Sequence, residues 1–194
     1  MVSPASISPQ IDFAVQAGIL DYFVQSAKKY GIPVSILLAI ASRESGIGTD
    51  PTYLANNFTG GDGHGRGIMQ IDDRWHIFAK ITAPNDDQAN ILYGAEYLKN
   101  LLNQFPYNKQ AAIAAYNAGP GNVRYVLGIG QHPDSATTGK DYSADVLKRA
   151  KVIKQLLKEK GIITTNYTVQ LAALSVVGLA FYKRNEVQQW LNTI

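Results

Sequence analysis

The chain has 194 residues and no cysteine, and 18 basic against 15 acidic side chains leave a net charge of only +3. Thiolate nucleophiles, iron–sulfur clusters, thiolate zinc sites and disulfides are thereby excluded, and the charge is too weak for a nucleic-acid partner. The length favours one domain with room for a tail, and 46% hydrophobic residues supply it with a core.

In chain order, Ser8-Pro9 reads as a helix cap with proline at the first helical position. The helical stretch runs to about Tyr30 and is closed by Gly31. Pro33 opens a second helix through Ile36, Leu37 and Ile40 that ends near Ser45-Gly46. Seven of the 17 glycines lie between Gly46 and Gly67, and five of those fall in Gly60–Gly67. This density predicts a loop or short hairpin, with a short strand over Gly67–Asp72. Asn85-Asp86-Asp87 offers caps for a third helix carrying Ile91, Leu92, Ala95, Leu98, Leu102 and Phe105 at helical spacing. Residues 109–118 form a small-residue helix stopped by Gly119-Pro120-Gly121, and 122–140 read mostly as loop. Asp141–Lys160 is a long helix with Val146, Ala150, Ile153 and Leu157 on one face, stopped by Gly161. The fold class is mainly α, with one Gly-rich loop or β-hairpin insertion.

Charge marks a boundary. Residues 161–182 carry none. Residues 1–161 form the main domain, and 162–194 a tail whose apolar part is about 168–182. Tyr167 and Tyr182 bracket that part and Lys183-Arg184 follow it, as at a membrane interface. The firmly apolar stretch is short for a span, so a membrane-associated helix and a helix packed on the domain are both open. The start, MVSPASISPQ, lacks the basic and apolar regions of a secretory signal. Lys148, Arg149, Lys151, Lys154, Lys158 and Lys160 face only Glu159. They read as the solvated face of a helix, or as a contact for anionic polymer or lipid.

Glu44 stands in the last turn of an otherwise apolar helix, at the negative end of the helix dipole. That end, and burial, raise a carboxyl's pKa and suit it to act as a general acid. The plain alternative is an ion pair with Arg43. Asp62 and Asp72 lie in the glycine-rich GGDGHGRGIMQIDD, where a long polymer can approach the backbone closely. A carboxylate-bearing loop after a helix with a candidate acid fits glycoside hydrolysis; Asx turns are the plain alternative. His64, His76 and His132 lack metal-site spacing, and no phosphate loop, EF-hand or Gly-x-Ser-x-Gly occurs. Neither metal nor cofactor is expected. His76 follows Asp72 at i+4, into the same cleft or at the surface. Tyr116, beside Asn117, offers a ring and a hydroxyl to a sugar, or packs in the core.

Four segments, ASRESG (41–46), GRGIMQIDDRWH (65–76), AAIAAYNAGPGNVR (111–124) and TTGKDYSADVLKR (137–149), occur in the order seen in goose-type lysozymes and soluble lytic transglycosylases. The chain resembles that family over roughly residues 10 to 160. The resemblance implies a lysozyme-like, mostly helical fold cleaving the β-1,4 bond between N-acetylmuramic acid and N-acetylglucosamine in peptidoglycan. It implies Glu44 as the acid, and Met69, Gln70, His76, Tyr116, Asn117 and Tyr142 as substrate-binding residues. Goose-type enzymes use loop aspartates to assist water with inversion, whereas lytic transglycosylases close a 1,6-anhydro ring with the acid nearly alone. Asp72 after Met-Gln-Ile looks goose-like, and Asp62 falls one residue from the matching position; either or both would place the water. A non-catalytic wall-binding or virion structural module is the alternative outside enzymes. The expected partner is the glycan strand, with a monomeric catalytic domain. A virion-borne or secreted, envelope-located enzyme, membrane-anchored or not, suits these features.

Overall fold

The structure, a computed structural model, describes residues 2–163. The apolar segment 168–182 of the tail lies outside the described residues.

Helix α1 (Pro4–Gln16) begins at Ser3 rather than at Ser8. Ser3 Oγ accepts from the Ser6 N–H while Ser6 Oγ accepts from the Ser3 N–H, a reciprocal capping box, and Pro4 occupies the first turn. Pro9 lies inside the helix, where it forgoes one backbone hydrogen bond. Two Ser-Pro pairs five residues apart carry the same local signal, and only the first has a hydroxyl three residues on to complete the box. The single stretch expected up to Tyr30 is two helices, because Gly18 at φ +70° turns the chain before α2 (Leu20–Tyr30). Gly31 closes α2 in the left-handed conformation as expected.

Helix α3 (Val34–Ser45) is the spine, with Leu37 to Ala41 fully buried and Gly46 as its left-handed end. The Gly-rich region holds a short helix α4 (Pro51–Ala55) and a hairpin. Strand β1 (Gly65–Arg66) pairs antiparallel with β2 (Ile71–Asp72), Gly65 opposite Asp72 and Arg66 opposite Ile71. The strand expected over Gly67–Asp72 shrinks to its last two residues, since Gly67–Gln70 form the turn, closed by Gln70 N–H to the Gly67 carbonyl at 2.9 Å. Helix α5 (Ile77–Ile81) follows.

Helix α6 (Asp87–Gln104) is capped by Asp86, and α7 (Lys109–Ala118) by Asn108. Residues 122–140 are not mostly loop: α8 (Pro120–Gly128) fills the first part. Gly-Pro-Gly acts as the start of this helix, with Pro120 in its first turn, and its apolar positions Val123 and Val126 are buried. Two 3-10 turns, Pro133–Ala136 and Thr138–Lys140, lead into α9 (Tyr142–Glu159). All four residues expected on the inner face of α9 are buried.

Helix α3 packs on α9, α2 on α6, and α7 on both α6 and α9; at the end of α3, Glu44 meets Tyr142 of α9, and Ser45 Oγ donates to the Ile68 carbonyl of the hairpin turn at 2.7 Å. Of the basic residues at 148–160, Lys148, Lys151, Lys158 and Lys160 are exposed as the solvated-face reading expects, and Arg149 departs from it. Arg149 turns inward to Asp145 (2.6 Å) and Ser42 Oγ (2.9 Å), and Lys160 pairs with Asp12 at 2.6 Å. Among the described residues no helix is long and apolar enough to cross a membrane.

Candidate active site

Glu44 is partly buried, and the Tyr142 hydroxyl donates to its Oε1. Tyr142, 2% exposed, reaches it from the start of α9. The ion pair with Arg43 does not form. Arg43 instead bonds Asp141 and Asp145, both at 3.0 Å, with its guanidinium 6.0 Å from the centre of the Tyr142 ring. Glu44 is thus left with a neutral donor. Burial pushes its pKa up to about 7; the Tyr142 hydrogen bond and the Arg43 charge act downwards, and the charge of Asp62 upwards.

Asp62 and Asp72 are held differently. Asp62 Oδ1 accepts from the His64 and Gly65 N–H groups at 3.0 and 3.4 Å, the Asx turn expected of such a loop. Among the described residues its Oδ2 meets only Arg74, at 3.4 Å, and its side chain is 60% exposed. Asp72 is gripped by Arg74 through Nε and a terminal nitrogen (3.0 and 2.6 Å) and by the Arg74 N–H (2.8 Å). The Arg74 hydrogen bonds hold its carboxyl below the usual carboxylate range. The charge of Asp62 reaches Glu44.

The other expected residues are each held by their own contacts. Met69 is fully buried, its side chain filling the space over Gly94 and its N–H donating to Asn90 Oδ1 at 2.8 Å. The Tyr116 hydroxyl donates to the Met69 carbonyl at 3.1 Å, which ties α7 to the hairpin turn. Gln70, at φ +48°, bonds the Gly67 carbonyl through Nε2 at 2.7 Å, and its Oε1 lies where side chains at Gly60 and Gly65 would stand. Those two glycines leave it that room. Asn117 accepts from the Thr138 N–H at 3.0 Å. The His76 N–H donates to the Asp72 carbonyl, while its ring bonds the Tyr93 hydroxyl at 3.0 Å and packs edge-on to Tyr97 at 4.6 Å. Burial lowers the His76 pKa.

Asn90, Tyr93, Tyr97 and Arg74 escaped the sequence reading. Tyr93 and Tyr97 do carry a signal, an i, i+4 aromatic pair on α6, and Asn90 is a polar residue inside a helix. His64, Asp72 and Asp73 offer atoms within 4.8 Å of one another, a spacing that suits an ion. Arg66 and His64 already occupy Asp73 (2.6 and 2.9 Å), and Arg74 occupies Asp72. The two arginines stand where a metal's charge would.

A carboxyl whose pKa is pushed up to about 7, with a water-facing carboxyl close enough to act on it, is equipped for acid-assisted cleavage of an acetal. The expected pH dependence follows from its sign. Glu44 donates only while protonated, so kcat should fall as pH rises through about 7. A pH–rate profile whose alkaline limb is absent in that region would contradict the assignment.

The lysozyme g family model matches residues 10–156, which contain every residue named at this site. The chain belongs to the lysozyme g family. As a member it is a glycoside hydrolase. This lysozyme g family member is 34% identical over 149 residues to lysozyme g of Struthio camelus, covering 70% of this chain and 68% of that one. It is 35% identical over 133 residues to lysozyme g of Gallus gallus, covering 64% of this chain and 58% of that one. It is 32% identical over 143 residues to a glycine, glutamate and proline-rich protein of Lottia gigantea, covering 68% of this chain but only 33% of that one. The chain therefore spans about two thirds of the first relative, less of the second and a third of the last.

Proposed function

We propose that this family member hydrolyses the β-1,4 bond between N-acetylmuramic acid and N-acetylglucosamine in peptidoglycan. Glu44 is the general acid and Asp62 the residue that orients and deprotonates the attacking water. The observation that carries the reading is Glu44 itself: a partly buried carboxyl at a helix C-terminus, bonded to a tyrosine hydroxyl rather than an arginine.

In the reaction, Glu44 passes its proton to the glycosidic oxygen as the bond from C1 breaks. Positive charge spreads over C1 and the ring oxygen, water attacks C1, and its proton goes to Asp62. Asp62 fits the base because its Oδ2 has only a long contact to Arg74 and its charge reaches Glu44. Asp72 fits a different task, holding Arg74 in place. Gln70, Asn117 and the His76 edge line the groove, while Met69, Tyr116 and Tyr142 hold its floor and the acid. Residues 1–161 make the catalytic unit; the end of the family match at 156 and of α9 at Glu159 support that boundary.

Mass spectrometry of digested wall tests the reaction type. Reducing muramyl ends support hydrolysis; 1,6-anhydromuramyl ends would replace it with transglycosylation by the same acid. Asp62→Asn should lower kcat about 100-fold, as loss of a general base does, and Asp72→Asn much less. The reverse order would move the base role to Asp72.

A further inference from the structure

A second buried carboxyl serves the site without touching it. Asp134, in the 3-10 turn Pro133–Ala136, is 2% exposed. Its Oδ1 accepts from the Ser143 N–H at 2.7 Å, and its Oδ2 from the Ser143 hydroxyl at 2.9 Å and the Ala144 N–H at 3.1 Å. These amides belong to the first turn of α9, whose own N-cap residue, Asp141, provides no side-chain cap. The cap thus comes from a separate segment, an anion set against the positive end of the helix.

The residue immediately before these anchors is Tyr142. Its N–H donates to Thr137 Oγ1 at 3.5 Å, and that hydroxyl donates to the Asp134 carbonyl at 2.9 Å. Asp134 therefore holds the backbone just after Tyr142 with its carboxylate, and at Tyr142 through Thr137. We propose that Asp134 is a positioning residue for catalysis, acting through Tyr142, whose hydroxyl it holds on Glu44 Oε1. The inference rests on Glu44 being the acid.

The groups that face Glu44 are Tyr142 from α9, Tyr116 from α7, Asp62 from the loop and Arg43 from its own helix. Asp134 itself faces His132, with Nδ1 4.0 Å from Oδ2. Of the groups around Glu44, Tyr142 is the one that supplies a hydrogen bond favouring the ionised form, opposing burial. If Tyr142 drifts, Glu44 holds its proton more tightly and donates it less well.

The test uses the full chain with purified wall glycan, and kcat and KM measured across pH for Asp134→Asn, Tyr142→Phe and the double variant. Asp134→Asn should lower kcat about tenfold, as a small misplacement of a catalytic group does, with KM unchanged and the alkaline limb moved to higher pH. In the Tyr142→Phe background the same substitution should move that limb no further. A cap with a purely structural role would lower the melting temperature and leave the limb in place, and that result overturns the inference. So does an equal shift with and without the Tyr142 hydroxyl. Should Asp134→Asn not fold, Ser143→Ala removes only the hydroxyl bond; a smaller shift in the same direction is expected, and an unmoved limb overturns the proposal. Activity retained in Glu44→Gln would instead overturn the acid assignment, a separate result.

Discussion

Glu44→Gln should lose wall-lytic activity by about 1,000-fold or more, near the upper range for removal of a general acid, while binding glycan and keeping its fold. The glutamine preserves shape and can still accept from Tyr142, so the proton is what is removed. A second consequence separates this from a generic lesion. The folded state holds the Glu44 proton up to about pH 7, against an ordinary value of 4.5. The stability this group contributes is therefore fully present below 4.5 and is lost as pH rises through about 7. Glutamine has no such loss. The melting temperature of Glu44→Gln should exceed that of the parent by more at pH 8 than at pH 5. A gap that stays constant across this range would show that Glu44 is an ordinary exposed carboxylate.

The second large effect is expected at Gly67. Its φ is +69°, and a Cβ there would lie 2.5 Å from the Asn90 side chain. Asn90 cannot yield, since it accepts from the Met69 N–H at 2.8 Å and donates to the Arg66 carbonyl at 3.0 Å. Gly67→Ala strains the backbone and dislodges this clamp, at a cost of about 3 kcal/mol from strain plus two buried hydrogen bonds. Urea unfolding should show it as a large fall in midpoint. Gly61→Ala, where a Cβ meets nothing within 4 Å, is the control and should shift stability by less than about 0.5 kcal/mol. Equal midpoints for the two variants would remove Asn90 as the anchor of the hairpin on α6.

These two sites show what the chain discloses about itself in one dimension. Glu44 was readable because its signal is local: a carboxylate in the last turn of an apolar helix that ends at Gly46. The inner face of α9 was readable for the same reason, through its spacing. The partners of Glu44 were not, because Tyr142 lies 98 positions along the chain and Arg43 is drawn away by Asp141 and Asp145. Pairings of that range are settled by packing. Where the local signal was ambiguous it misled: Gly119-Pro120-Gly121 stops α7 and starts α8 in the same three residues, and Ser8-Pro9 copies the cap that Ser3-Pro4 forms. Asp134 shows the limit most clearly, for its acceptors cap a helix to which it does not belong.

The rings from Phe78 to Tyr116 have a use of another kind. Phe78 stacks on Tyr93 at 4.2 Å, Tyr93 meets His76, His76 meets Tyr97 at 4.6 Å, and Tyr97 meets Tyr116 at 5.2 Å. Three tyrosines fixed at set angles in one file form a chiral chromophore, visible by near-ultraviolet circular dichroism only while tertiary packing holds. The file runs from Phe78 on α5 to Tyr116 on α7, whose hydroxyl bonds the Met69 carbonyl of the hairpin turn. Its dichroism is therefore an optical gauge of an assembled cleft, readable with no substrate present.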